Sequence, residues 1–410
     1  MRDEPKVTPE KGLPDVADPR GAQLFDGTFP LPTAVLLRDE LEHNLATMAA
    51  YCAANGVLLA PHGKTTMSPQ IIERQLAAGA WAITVATAWQ ARTVADMGVR
   101  RLVLANCVVD PGSLRLLNDV LARHDDLELY CYADSPAALH ALETGIDAGL
   151  RGRARVLVEL GVAGGRTGLR DDRDALALAA RIAGGPLGLA GFSAFEGILR
   201  GADLTGTLAL VDRLLDRLSG VARTAYADGL IGAGPPPIVT VGGSAYFDRV
   251  VERLAPALAG TPFLTVLRSG CYVTHDAGGY EAISPFGALP RAPYRLREAL
   301  RIWAPVLSRP EPTLALAGLG RRDASTDDGL PVPRMVRDRT GLITQLDGEL
   351  RVTAVNDQHA YLALPADLPL AVGDVVAFGI SHPCTTFDKW RVIPIVDADY
   401  TVTELAYTHF

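Results

Sequence analysis

Eight short apolar runs of β character alternate along this chain with stretches of helical character, and that alternation is the tightest bound on its fold. The runs cover residues 57–62, 81–87, 101–106, 127–133, 155–161, 189–196, 238–244 and 263–270. Helix-compatible stretches lie at 67–79, 88–97, 135–149, 171–184, 203–228 and 246–259. Eight parallel-type strands alternating with helices predict a (β/α)8 TIM-type barrel. A doubly wound open sheet usually has fewer strands and a glycine fingerprint for phosphate, which Gly161, Gly164, Gly165 and Gly168 do not match.

After about residue 288 the texture changes. Prolines cluster at 290, 293, 305, 310 and 312, and β-type segments follow at 301–308, 313–317, 341–346, 350–355, 374–380 and 391–396. Asp347-Gly348 between two of these is a hairpin-turn signal, and Pro331-Val332-Pro333 reads as a loop. The expected organisation is an N-terminal arm over 1–30, loose or packed on the second domain. A barrel over 31–288 and a mostly β C-terminal domain over 289–410 follow it.

Composition narrows the class of protein. Hydrophobic residues make up 48% and charged residues 21%, the balance of an ordinary soluble enzyme. A formal net charge of −8 argues against nucleic acid or an anionic membrane as the main partner. Five scattered cysteines form no disulfide framework and no CxxC pair, which fits a reducing compartment. The N-terminus lacks an apolar signal core and no stretch approaches a membrane span, so a cytoplasmic protein is expected.

Only four of the 39 basic residues are lysines, and one of them, Lys64, follows an apolar run. Lysine can lose its proton and form a Schiff base with a carbonyl, whereas guanidinium cannot. The alternative is a strand-end lysine reaching to solvent. In a barrel the chemistry sits at the carboxyl ends of the strands. Those ends here carry His62 and Lys64, Asn106, Arg166, Glu196, Gly242-Gly243-Ser244, and Arg268 through Tyr272. Gly242-Gly243-Ser244 leads into a helix-compatible stretch, which makes it either a phosphate cradle or a tight turn with a serine cap. A Schiff-base lysine at one strand end and a phosphate cradle at another suggest pyridoxal phosphate.

Pro61-His62-Gly63-Lys64-Thr65 resembles the lysine motif of fold-type III pyridoxal-phosphate enzymes, the group containing alanine racemase. The closer likeness is to D-serine dehydratase and D-threonine aldolase. Gly242-Gly243-Ser244 and residues 267–272 are similar to that family's phosphate-side loops, and residues 355–359 and 381–384 to motifs of its C-terminal domain. The resemblance spans roughly residues 30–400. It implies a small D-amino acid substrate and usually a homodimer. The candidate cofactor set is Lys64, His62, Arg166, Gly242, Gly243, Ser244, Gly270 and Tyr272, with His62 either stacking on the ring or only packing. Arg166 otherwise reads as a solvated charge and Tyr272 as a half-buried aromatic. His359 is a catalytic candidate beside Lys64, or a histidine satisfied within the β domain. Glu196 or Ser193 stands near where relatives carry a tyrosine or histidine beside the pyridine ring.

His382 and Cys384, two residues apart on an extended segment, would share one face and could share a metal. Imidazole with thiolate suits zinc. As a bare tripeptide the pattern is weak. The resemblance implies that dehydratases hold zinc with such a His-x-Cys pair, whereas aldolases have Asp at the second place. The expected function is a zinc- and pyridoxal-phosphate-dependent dehydratase that converts a D-3-hydroxy amino acid such as D-serine to a 2-oxo acid and ammonia. Retro-aldol cleavage to glycine and an aldehyde is the alternative, followed by racemisation and by a non-catalytic cofactor carrier. A racemase would need a second base, for which Tyr361 is a poor candidate. Arg321-Arg322-Asp323 and Asp327-Asp328 read as a solvated loop, or as a cluster that helps select an acidic or hydroxylated substrate.

Overall fold

The computed structural model describes residues 10–232 and 234–410. The chain divides into two units. One takes the chain up to Thr47, Thr65–Ile71 and Cys271–Phe410, and the other takes Met48–Lys64 and Ile72–Gly270. The first strand, β1 (Thr33–Leu37), pairs in the C-terminal sheet rather than in the parallel one.

The parallel sheet consists of β2 (Leu58–Leu59), β3 (Ile83–Val85), β4 (Arg101–Cys107), β5 (Glu128–Ala133), β6 (Ala154–Leu160), β7 (Gly188–Phe195), β8 (Ile238–Gly242) and β9 (Leu264–Leu267). Each strand from β3 to β9 pairs with its sequence neighbour, and β2 pairs with β9. Trp81 N–H donates to Leu59 O at 2.7 Å and Thr84 N–H to Pro61 O at 2.9 Å, which closes the ring between β2 and β3. The chain therefore forms the (β/α)8 barrel expected from its alternation, with a separate mostly β sheet. Its interior is filled by unequal partners: Tyr130 and Tyr132 of β5 pack with the small Ala60, Ala82 and Ala190. Helices start where the sequence supplies caps. Thr87, Asp110, Ser135 and Asp203 each accept a backbone N–H three residues on, and Pro111 and Pro136 occupy the first turns. Among the described residues no helix is long and apolar enough to cross a membrane.

The other unit is built on β10 (Leu300–Glu311), β11 (Leu314–Ala317), β12 (Val332–Arg337), β13 (Ile343–Gln345), β14 (Arg351–Val355), β15 (Ala360–Ala363), β16 (Val375–Gly379), β17 (Val392–Val396) and β18 (Val402–Tyr407). Its main path runs β13-β12-β16-β10-β1-β17-β18, with β11, β15 and β14 continuing from β10. Two turn readings need correcting. Pro331-Val332-Pro333 enters a strand, because Val332 and Pro333 pair only with β16 while β13 reaches no further than Met335, opposite its last residue Gln345. Asp347-Gly348 makes no hairpin, since β13 pairs with β12 and β14 with β15. The hairpin turn lies instead at Asp338, whose Oδ1 accepts the N–H groups of Thr340 and Leu342.

The first nine residues of the expected arm lie outside the described residues. From residue 10 on the arm packs on the β sheet. Leu24 and Phe29 join Val35, Trp303 and Val396 in its core. Phe25 meets Trp303 edge-on at 4.9 Å, a contact worth about 1 kcal/mol beyond its burial. Asp323, expected in a solvated loop, is buried: it accepts Lys11 Nζ at 2.9 Å and Gln358 Nε2 at 2.9 Å.

Thr65–Ile71 is a short excursion of the chain into this β unit. Met67 O accepts His409 N–H at 3.0 Å and the Gln70 side chain accepts Tyr407 N–H at 3.0 Å. The chain thus passes between units at the peptide joining Lys64 to Thr65 and again at the one joining Gly270 to Cys271.

Candidate active site

Lys64 stands on a single 3-10 turn, Gly63–Thr65, just past β2. A side chain at residue 63 has no room, because a Cβ there would fall 2.8 Å from Ile83 Cγ2. The bare turn can therefore lie against β3 and deliver Lys64 to the carboxyl end of the barrel. There Lys64 shares a cavity of about 170 Å³ with His62, Arg166, Gly242, Gly243 and Arg268.

The walls of this cavity are tightly specified. Gly243 has φ +122°, and a Cβ on it would reach 2.1 Å from Glu196 Oε1. A Cβ on Gly242 would lie 2.8 Å from Arg268 Nη2. Bare backbone thus faces the cavity, where N–H groups can approach an anion. Ser269 Oγ donates to Gly243 O at 2.6 Å and pins this turn. The helix after it starts only at Phe247, with Tyr246 as its cap residue, so Ser244 is buried but caps no helix. Arg166 stacks on Phe195 at 4.0 Å. Its loop is tied by Arg170, which donates to Thr167 O at 2.9 Å and Gly165 O at 3.0 Å.

Arg268 is the residue that the sequence reading left out of the cofactor set. It is buried, donating to Thr240 Oγ1 at 2.8 Å and to Ala194 O at 2.9 Å. An arginine directly after an apolar barrel strand is the available signal. Burial, followed by the charges of Lys64, Arg268 and Arg166, holds His62 well below the usual imidazole range, so its ring is neutral at pH 7. Three cations converge on the cavity, which suits a phosphate dianion. His62 Nδ1, Ser193 Oγ and both Glu196 carboxyl oxygens are buried without a hydrogen-bond partner. An amine, bare glycine backbone, convergent positive charge and unsatisfied buried polar atoms together fit pyridoxal phosphate.

Burial pushes the Glu196 carboxyl up to about 8 from its ordinary 4.5, with Arg268 and Arg166 opposing the shift and Asp248 adding to it. The folded chain therefore holds a proton that the unfolded chain has released. The associated stability is present below pH 4.5 and is lost as pH rises through about 8. Glu196→Gln is expected to flatten this loss. At about 1.4 kcal/mol per unit the gain at pH 8 is on the order of a few kcal/mol. Thermal unfolding of both proteins at pH 5 and pH 8 checks it, and equal losses across that interval would show Glu196 ionised at neutral pH.

A second constellation lies in the β unit. Ligand atoms of Cys271, His382 and Cys384 fall within 4.8 Å of one another. Cys271 and Cys384 Sγ atoms are 3.5 Å apart, and Thr65 Oγ1 is hydrogen-bonded to Cys384 Sγ at 3.3 Å. The pair His382 and Cys384 is not on an extended segment as expected. Pro383 has helical dihedrals and Cys384 begins the helix Cys384–Phe387, so a bend rather than strand alternation brings the donors together. The contact with Cys271 holds the Cys384 thiol well below its ordinary range, and His382 and Thr65 lower it further. Burial opposes charge on His382, but Cys384 and Asp327 outweigh it and raise the imidazole to about 9. Two sulfurs and an imidazole gathered around one point form a donor set for a soft or borderline divalent metal.

Another cluster, Cys107, Asp134 and Glu159, lies at the strand ends of the barrel. Burial, with the neighbouring Asp134 and Glu159, pushes the Cys107 thiol up to about 12, and it donates to Asp134 at 3.6 Å. It is a protonated, hydrogen-bonded group.

The structure thus brings His62, Lys64, Arg166, Gly242 and Gly243 into one cavity and His382 and Cys384 into one donor set. Gly270 is the last barrel-unit residue, whereas Tyr272 is buried in the β unit on the turn Cys271–Val273. His359 is exposed at the β14–β15 turn, its carbonyl accepting Asn356 N–H, and takes no part in the donor set.

Residues 299–396 match the family model of a serine dehydratase domain. The chain is 29% identical to D-threonine aldolase of Arthrobacter sp. over 382 residues, covering 91% of each protein. It is 31% identical to D-threo-3-hydroxyaspartate dehydratase of Delftia sp. strain HT23 over 255 residues, or 61% of this chain and 62% of that one. The solved D-threonine aldolase of Filomicrobium marinum superposes with a TM-score of 0.79 at 24% identity over 98% of both chains. Solved structures of D-threo-3-hydroxyaspartate dehydratase include a histidine-to-alanine variant and a cysteine-to-alanine variant two positions on, the latter in the metal-free form. They give TM-scores of 0.72 and 0.70 at 23% identity over 93% of this chain and 95% and 98% of theirs.

Proposed function

We propose that the chain is a zinc-dependent dehydratase of the fold-type III pyridoxal-phosphate family of D-serine dehydratase and D-threonine aldolase. In this reading it eliminates water from a D-3-hydroxy amino acid such as D-serine, giving a 2-oxo acid and ammonia. The observation that carries it is the Cys271–His382–Cys384 donor set, whose two sulfurs favour zinc over magnesium or calcium. Sulfur at position 384 is the dehydratase form of the His-x-Cys motif. The two substituted positions in the solved hydroxyaspartate dehydratase variants have the same spacing as His382 and Cys384.

Pyridoxal phosphate, when bound, supplies an aldehyde for the substrate amine and a ring that takes up the electron pair left at Cα. Lys64 Nζ would hold it and would accept the proton from Cα. The Gly242-Gly243 backbone and the cationic wall of the cavity hold the phosphate. His62, kept neutral by its surroundings, lines the cavity without adding to its positive charge. Zinc, when bound, supplies a Lewis acid for the β-hydroxyl oxygen. Cys271, His382 and Cys384 would hold it.

Product analysis tests the reading. Purified protein loaded with cofactor and zinc is given D-serine, D-threonine and D-threo-3-hydroxyaspartate, with the L-enantiomers as controls. A 2-oxo acid with ammonia from a D-substrate is the expected result. Glycine with an aldehyde would make the protein an aldolase despite Cys384.

A further inference from the structure

We infer that Asp327 is the positioning residue of the metal centre, orienting His382 by holding its Nδ1 so that Nε2 is left for the metal. The inference rests on the metal reading above. Asp327 was expected in a solvated loop, yet its Oδ2 lies 2.7 Å from His382 Nδ1. Its other oxygen, Oδ1, accepts the Thr385 hydroxyl at 2.9 Å. One carboxylate thus grips two residues that flank Cys384 on the bend that carries the donors.

The loop behind Asp327 is itself fixed to that bend. Ser325 N–H donates to Thr386 Oγ1 at 3.1 Å, and Ser325 Oγ accepts His382 N–H at 3.1 Å. Ser381 Oγ donates to Gly329 O at 2.6 Å. These ties bracket Asp327 on both sides, so its position is set by the backbone rather than by a mobile ion pair. Asp328 is the weaker neighbour, with Oδ2 at 3.5 Å from the same nitrogen.

A carboxylate on the distal nitrogen of a ligating histidine fixes ring orientation and tautomer and raises the ligand's basicity. Removing such a partner costs about 10- to 100-fold in metal affinity. A free surface aspartate would cost nothing. Asn can still accept from Nδ1–H but carries no charge, so it separates hydrogen bonding from electrostatics.

The test is zinc affinity of the cofactor-loaded protein, measured by competition with a chromophoric chelator for wild type, Asp327→Ala, Asp327→Asn and Asp328→Asn. The expected result is a loss of about 10- to 100-fold for Asp327→Ala, a partial recovery in Asp327→Asn, and little change in Asp328→Asn. All variants are expected to keep the cofactor's lysine-dependent absorbance, which shows the fold intact. An Asp327→Ala affinity within twofold of wild type overturns the inference while leaving the metal reading standing. A wild-type protein that binds no zinc overturns both.

Discussion

Lys64→Ala protein is expected to lose the absorbance that pyridoxal phosphate acquires on joining a lysine amine, and with it all measurable turnover. The loss should be about 10³-fold or more, because one positioned proton-transfer group alone contributes about 10²- to 10⁴-fold and Lys64 is also the attachment point. Lys64→Arg separates chemistry from charge. It keeps a cation in the cavity beside Arg166 and Arg268, yet guanidinium neither forms the linkage nor gives up its proton. Both variants should therefore be equally inactive. Turnover surviving in Lys64→Ala, or recovered in Lys64→Arg, would remove Lys64 from the reaction. Spectra and single-turnover rates on the same preparations decide the matter.

Removing the metal is expected to act differently. His382→Ala or Cys384→Ala deletes a donor in the β unit, whereas the cavity around Lys64 belongs entirely to the barrel unit. The cofactor absorbance should persist while elimination falls by about 10²-fold or more, since Lewis-acid stabilisation of a leaving oxygen is worth several kcal/mol. Chelation of the wild-type protein should reproduce this and added zinc should reverse it. Cys384→Asp keeps a ligand but replaces sulfur with oxygen, so metal preference should move from zinc towards manganese. Elimination at full rate in metal-free protein would remove the metal from the mechanism.

Much of this was legible in the sequence because it is local. The eight barrel strands lie within a few residues of the apolar runs, and Lys64, His62, Gly242 and Gly243 sit where strand ends put them. His382 and Cys384 were visible as a spaced pair. What stayed hidden depends on distant pairing. Cys271 is 113 residues from Cys384, and no spacing rule joins them. Asp327 looked like one of several loop acids until the ties at Ser325 and Ser381 fixed it beside His382. The β1 strand falls inside the span 31–288 expected for the barrel, yet it finds partners in β10 and β17. Pro333 suggested a loop because the side of the strand without a neighbour could not be known in advance.

The excursion of Thr65–Ile71 has a genetic consequence. A gene cut once near codon 270 does not separate two inheritable modules, because the barrel-encoding half still carries the codons up to residue 47 and those for residues 65–71, whose residues fold with the other half. The cut that would exchange catalytic specificity as a cassette would strand Thr65 away from Cys384. Lineages descending from such a chain should therefore diversify by point substitution around positions 271, 327, 382 and 384, with shuffled barrels and β domains rarely surviving. A library of chimaeras crossed over at residue 270 should be poorer in folded members than one in which the chain up to residue 47 and residues 65–71 travel with the C-terminal segment.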